Sequence, residues 1–156
     1  IIIKNRLFLL FTIFPIILSI SINLVKIIDE GIIEAIIVSV SILISMFFAY
    51  IAFFGEYKLP KDKDVSTREN LRKISEESSV IVDYEILISI VLLVLSILFP
   101  VVENNNEAII KLSSDYIIDV ISIFSLIIYS LFIHMLLNLL ILLKRYGVLK
   151  ENSFNE

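Results

Sequence analysis

Residues 80–102 read VIVDYEILISIVLLVLSILFPVV, and the part from 86 to 102 contains no charged residue. A helix rises about 1.5 Å per residue, so about 20 apolar residues cross a hydrocarbon core of about 30 Å. The stretch is therefore long enough to span a bilayer. Three further blocks of the same character lie at 7–25, 32–54 and 116–143. Together they predict an all-α fold: a polytopic membrane protein with four transmembrane helices, forming a single membrane domain over 1–156. A loop at 55–79 and a tail at 144–156 complete the expected plan.

Composition agrees. Hydrophobic residues make up 58% of the 156 positions, above the roughly 45–50% of ordinary soluble domains, and mean hydropathy is +0.97. The chain has no cysteine and one histidine. Disulfides and thiolate chemistry are excluded, a histidine-built metal centre is disfavoured, and no cofactor is expected. Lys4 and Arg6 precede the first block, but its apolar run exceeds the usual 7–15 residues of a signal peptide and lacks a small-residue exit, so it reads as a retained helix.

Charge gives the orientation. Eleven of the thirteen Lys and Arg residues flank the blocks on one side, leaving Lys26 and Lys111 on the other. Cytoplasmic loops carry the Lys/Arg excess. Both termini and the 55–79 segment are therefore expected inside, in the inner membrane of a bacterium or archaeon. The two outer connections are short and acidic, with Asp29, Glu30 and Glu34 at one and Glu103, Glu107, Asp115 and Asp119 at the other. They read either as a cation-attracting vestibule or as solvated turns.

In the inner segment, Gly55 is the expected C-cap of helix 2, and Pro60 stops any extension. Ser66 and Glu69 have capping-box spacing, so a short amphipathic helix is predicted over 66–77. Ser78 and Ser79 then mark either a break or a passage into helix 3. Arg68, Leu71, Arg72, Lys73 and Ile74 are the candidate docking residues for a cytosolic protein. Six bases there are matched by six acids, so clamping to anionic lipid by this segment is expected to be weak.

Within lipid, helices associate through packing and interhelical hydrogen bonds. Small or polar residues recur at helical spacing in every block: Thr12, Ser19 and Asn23 in helix 1; Ser41, Ser45 and Ala49 in helix 2; Glu85, Ser89 and Ser96 in helix 3; Ser130, His134 and Asn138 in helix 4. The ladder Ser41, Ser45, Ala49 is the predicted packing face. His134, Asn138, Ser130, Glu85 and Glu34 are the candidates for intramembrane polar or gating roles, because ionisable groups at membrane depth are functional hypotheses by default. His134 reads either as a proton-sensitive gate, since imidazole titrates near neutrality, or as a neutral hydrogen-bonding partner. Asp83 and Glu85 sit where helix 3 enters the membrane, with Glu85 on the serine face. Pro15 is expected to interrupt helix 1, and Pro100 to end helix 3.

No phosphate-binding loop, zinc-protease helix or nucleophile elbow occurs, and no enzymatic activity is expected. A small multidrug exporter has a similar helix count, but the glutamate such proteins carry in helix 1 is missing here.

Phe132-Ile133-His134, followed by a Leu-rich run, resembles the last helix of RexB-type phage exclusion proteins. The wider plan of two short outer loops, one longer basic inner loop and a short basic tail resembles KwaA-type membrane subunits of the Kiwa antiphage system. The resemblance implies an inner-membrane homo-oligomer that detects or responds to infection. One form passes the signal to a cytosolic partner acting on nucleic acid, without touching nucleic acid itself; the other conducts ions. Its expected partners are thus the lipid bilayer, copies of itself and a cytosolic protein.

Overall fold

The computed structural model describes residues 13–60, 63–104, 109–113 and 116–153. Four helices account for most of them: α1 (Phe14–Val25), α2 (Glu30–Glu56), α3 (Val65–Asn104) and α4 (Val120–Ser153). A hairpin of β1 (Ile109–Ser113) and β2 (Tyr116–Asp119) joins α3 to α4, pairing Ile109 with Asp119 and Ile110 with Ile118. The bundle is helical because an apolar chain in lipid must satisfy its own backbone, and only helices and closed barrels do so. Helices α2, α3 and α4 are each long and apolar enough to cross a membrane, and α1 is a shorter apolar helix. The chain is an all-α membrane bundle.

α3 lies at the centre of the long helices, packed against both α2 and α4, while α1 packs against α4. The buried positions explain this order. On α2 they are Ile33, Ile36, Val40, Leu43, Phe47, Tyr50 and Phe54. On α3 they are Leu71, Ser78, Val82, Glu85, Ser89, Leu92, Ser96 and Phe99. Apart from the seven-residue step from Leu71 to Ser78, both series advance by threes and fours. That alternation averages 3.5 residues and is the repeat of left-handed, coiled-coil-like helix pairs. The intervening faces carry exposed Val38, Ile42, Phe48, Leu87, Val94 and Leu98, which suit a lipid environment.

Several boundaries differ from the sequence-based expectations. The 55–79 segment is not mainly a loop: only residues 57–60 and 63–64 separate α2 from α3 among those described. α3 passes through Ser78 and Ser79 without a break and has 40 residues, about 60 Å at 1.5 Å each. Buried Ser78 causes no interruption here because its Oγ donates to the Ile74 carbonyl at 2.6 Å, within its own helix. The cap of α3 is Asp64 rather than Ser66. Asp64 Oδ2 accepts from the Thr67 amide at 3.2 Å, and its carbonyl accepts from the Arg68 amide at 3.0 Å.

Gly55 is not a C-cap; it stays helical, and Tyr57 closes α2 in an extended conformation with φ −62° and ψ 117°. Pro100 lies inside α3 rather than ending it. α4 starts at Val120, because residues 116–119 pair as a strand, and it continues through the expected tail to Ser153. Pro15 is buried near the start of the described part of α1, where Ile13 is also in the helical region, and the expected interruption of helix 1 before it lies outside the described residues. Lys4, Arg6, Thr12 and the expected helix before Ile13 lie outside the described residues.

Candidate functional site

Two places concentrate polar chemistry. The first is a cluster within the bundle, where α3 faces α4. Glu85 is fully buried at the start of the uncharged 86–102 run. It comes from a heptad position of α3, and the antiparallel register sets it opposite Asn138 of α4. Asn138 Nδ2 donates to Glu85 Oε1 at 2.6 Å and lies 3.0 Å from His134 Nε2. His134 Nε2 is 3.9 Å from the same carboxylate oxygen, and its ring meets Tyr84 edge-on at 5.9 Å. One turn further along α3, Ser89 Oγ lies 2.7 Å from the Glu85 carbonyl and 3.1 Å from Met135 Sδ.

The hydrogen-bond inventory constrains this cluster. An amide nitrogen carries only donors, so when Asn138 Nδ2 serves both neighbours, His134 Nε2 must accept. The imidazole is then neutral, with its proton on Nδ1. A second proton on His134 would turn Nε2 into a donor, repel it from the Asn138 amide and favour Glu85 Oε1 instead. Glu85 Oε2 is buried without a hydrogen-bond partner among the described residues, so the carboxyl has an unused site.

Other sequence-predicted residues fall elsewhere. Ser130 is half-buried, one turn from His134 on α4. Glu34 is exposed in the second turn of α2, near the opposite end of the bundle, and does not join the cluster. Asp83 is exposed, two residues from buried Glu85. Ser41, Ser45 and Ala49 are exposed and are not the packing face within the chain. Ser41 Oγ donates to the Ile37 carbonyl at 2.8 Å and Ser45 Oγ to the Ser41 carbonyl at 3.1 Å, so both hydroxyls are satisfied inside α2. Asn23 links helices instead, donating from Nδ2 to the Ser122 carbonyl at 3.1 Å.

The acidic end is bound locally. Lys26 pairs with Asp29 at 2.9 Å, and this hydrogen bond holds the Asp29 carboxyl below the usual carboxylate range. Asp29 also caps α2 through the Ile32 amide at 2.9 Å. Of the other acids there, Glu107 and Asp115 lie outside the described residues.

The second place is the basic end. There α3 (65–79) and α4 (144–153) continue together past the apolar runs as a helical stalk. Arg145 Nη2 meets Glu77 Oε2 at 3.0 Å, tying the two helices. The end of α2 is fastened by rings: Tyr146 meets Phe53 edge-on at 4.6 Å and Tyr50 at 5.7 Å, with Lys150 Nζ 5.7 Å from the Tyr146 centroid. This aromatic knot was not singled out from the sequence, although Tyr50 and Phe54 continue the α2 heptad and could have signalled it.

Leu71, expected to meet a partner, is 3% exposed and belongs to the chain's own core together with Leu149. It continues the α3 repeat, so it faces inward. Ile74 is half-buried. Arg68, Arg72 and Lys73 remain exposed, with Arg72 held by Glu76 at 2.9 Å, and they line a recess of about 460 Å³ beside Leu59 and Val65.

Fold and sites thus define a helical membrane protein with a buried polar cluster and a charged stalk. Comparison with family models, curated proteins and solved structures finds no match. Among the described residues, no group of three or more His, Asp or Glu side chains could hold a metal ion.

Proposed function

We propose that this protein is a non-enzymatic inner-membrane sensor or scaffold, homo-oligomeric and of the antiphage-defence type, whose cytoplasmic face docks a soluble effector protein. The observation that carries the reading is the stalk. Two membrane helices extend beyond their apolar runs, are tied by Arg145 and Glu77, and present Arg68, Arg72 and Lys73 outward. A stiff helix pair transmits displacement from membrane to surface better than a flexible loop. The Lys/Arg excess at this end supports a cytoplasmic location. The exposed Ser41, Ser45 and Ala49 face supports contact between copies, because small residues allow close helix approach in lipid.

The test is copurification from the native cell. The effector is retained by the wild-type protein and lost when Arg68, Arg72 and Lys73 are all replaced by Glu. Unchanged copurification contradicts the reading. Leu71 is unsuitable for this experiment, since its replacement would disturb the core.

The Glu85–Asn138–His134 cluster favours a second reading, a proton-sensitive ion-conducting pore. Planar-bilayer recording of purified protein then shows a conductance altered in His134→Ala. Silence across pH and voltage dismisses this reading and leaves the first intact.

A further inference from the structure

Where α3 and α4 leave their apolar runs, they enclose a groove of about 570 Å³. Its size lies within the roughly 300–1,000 Å³ of small-molecule sites. The walls are Ile74 and Ile81 from α3 and Ile141 and Val148 from α4, with Asn138 at the inner end. Lys144 and Arg145 are the charged lining residues, and among the described residues no carboxylate lines the groove. Arg145 is held at one edge by Glu77, yet its Nη1 is buried with no hydrogen-bond partner among the described residues. From Asn138 to Lys144 the groove runs six residues along α4, about 9 Å at 1.5 Å each.

We propose that this groove binds one anionic phospholipid, its phosphate between Lys144 and Arg145 and one acyl chain along Ile81 and Ile141 toward Asn138. Charge complementarity fixes the sign of the headgroup. A guanidinium already aligned by Glu77 and still holding an unused N–H is suited to a phosphate oxygen. The apolar walls select a hydrocarbon tail over a free phosphate. The position, at the junction between apolar run and basic stalk, is where a bilayer supplies such a molecule. Because Asn138 both lines the groove and donates to Glu85, the bound chain would sit against the polar cluster.

The assignment rests on the membrane fold and not on the docking of an effector. The experiment is native mass spectrometry of the full chain released from nanodiscs of mixed phosphatidylglycerol and phosphatidylcholine. One phosphatidylglycerol is retained in preference. Retention weakens about fivefold in Lys144→Gln and again in Arg145→Gln, the change expected for each cation lost at a membrane surface. Ile141→Trp, which fills the groove and leaves both charges, also abolishes retention. Lys144 is exposed, so its variant reads the site even where the Arg145 change disturbs the Glu77 pair. Equal retention of the two lipids overturns the proposal, as does retention unchanged in the Lys144→Gln and Ile141→Trp proteins. Preferential retention of free fatty acid added to the nanodiscs overturns it too.

Discussion

α2 and α3 bury the same spacing of residues and opposite chemistry. The inner face of α2 is apolar throughout apart from the Tyr50 hydroxyl, whereas α3 buries Ser78, Glu85, Ser89 and Ser96 among its Val, Leu and Phe. The shared three–four rhythm is the repeat of left-handed helix packing. What differs is how the register is specified. On α2 it follows from the fit of large side chains such as Phe47. On α3 it follows from directional contacts with α4, Asn138 to Glu85 and Arg145 to Glu77, supported by Ser89 on Met135. Shape holds one interface and hydrogen bonding pins the other.

Four changes break or sharpen this contrast. The largest effect is expected for Phe47→Ala on the apolar face, about 3 kcal/mol or more from the lost packing and the cavity left behind. Reversible unfolding in mixed micelles measures it. Next comes Asn138→Leu, which leaves Glu85 without its donor and costs about 1–2 kcal/mol, near the upper range for hydrogen bonds between membrane helices. Adding Glu85→Leu recovers most of that loss, so the double variant is more stable than Asn138→Leu alone. Additive losses would show that the pair does not act as a unit.

On the outward face of α2, Ser41→Leu and Ser45→Leu should change unfolding of the dilute, unassociated protein by less than about 0.5 kcal/mol, as expected for exposed sites. A large loss would place that face inside the bundle after all. The smallest effect is local to the α3 cap. Hydrogen bonds from Thr67, hydroxyl before amide, hold the Asp64 carboxyl below its ordinary value. The cap is therefore fully effective above the unfolded value of about 3.9 and is lost as pH falls through the folded one. Hydrogen exchange at neutral pH should show the first turn of α3 frayed in Asp64→Ala and unchanged in Ser66→Ala. Acidification below the folded value should bring the wild type to the Asp64→Ala pattern.

Much of the architecture was legible in the chain, because length and hydropathy decide which segments are long enough to cross lipid. The edges were less legible for local reasons. Asp64 outcompeted the Ser66 capping box, Gly55 remained helical, and Pro100 was tolerated inside α3 near its end. Residues 116–119 look like helix by hydropathy, yet they pair across a hairpin with 109–113, a contact no single-segment reading contains.

The cluster was half visible. Glu85, His134 and Asn138 stand out as polar residues in apolar helices, but their meeting depends on the α3–α4 register, which spacing within either helix does not contain. Within the chain, α2 packs through bulk and not through its serine and alanine spacing, which leaves Ser41, Ser45 and Ala49 outward. The apolar heptad from Ile33 to Phe54 was the stronger signal.

The account depends most on α3 being one uninterrupted helix from the stalk to the far end of the bundle. The chain has no cysteine, so spin labels at Arg68→Cys and Leu98→Cys, both exposed positions, report this distance cleanly by pulsed electron resonance in lipid. Thirty residues of helix predict a separation of about 45 Å with a narrow distribution. A broad distribution, or a mean below about 35 Å where a straight helix requires more, would mean that α3 breaks at Ser78 and Ser79, and would contradict the stalk.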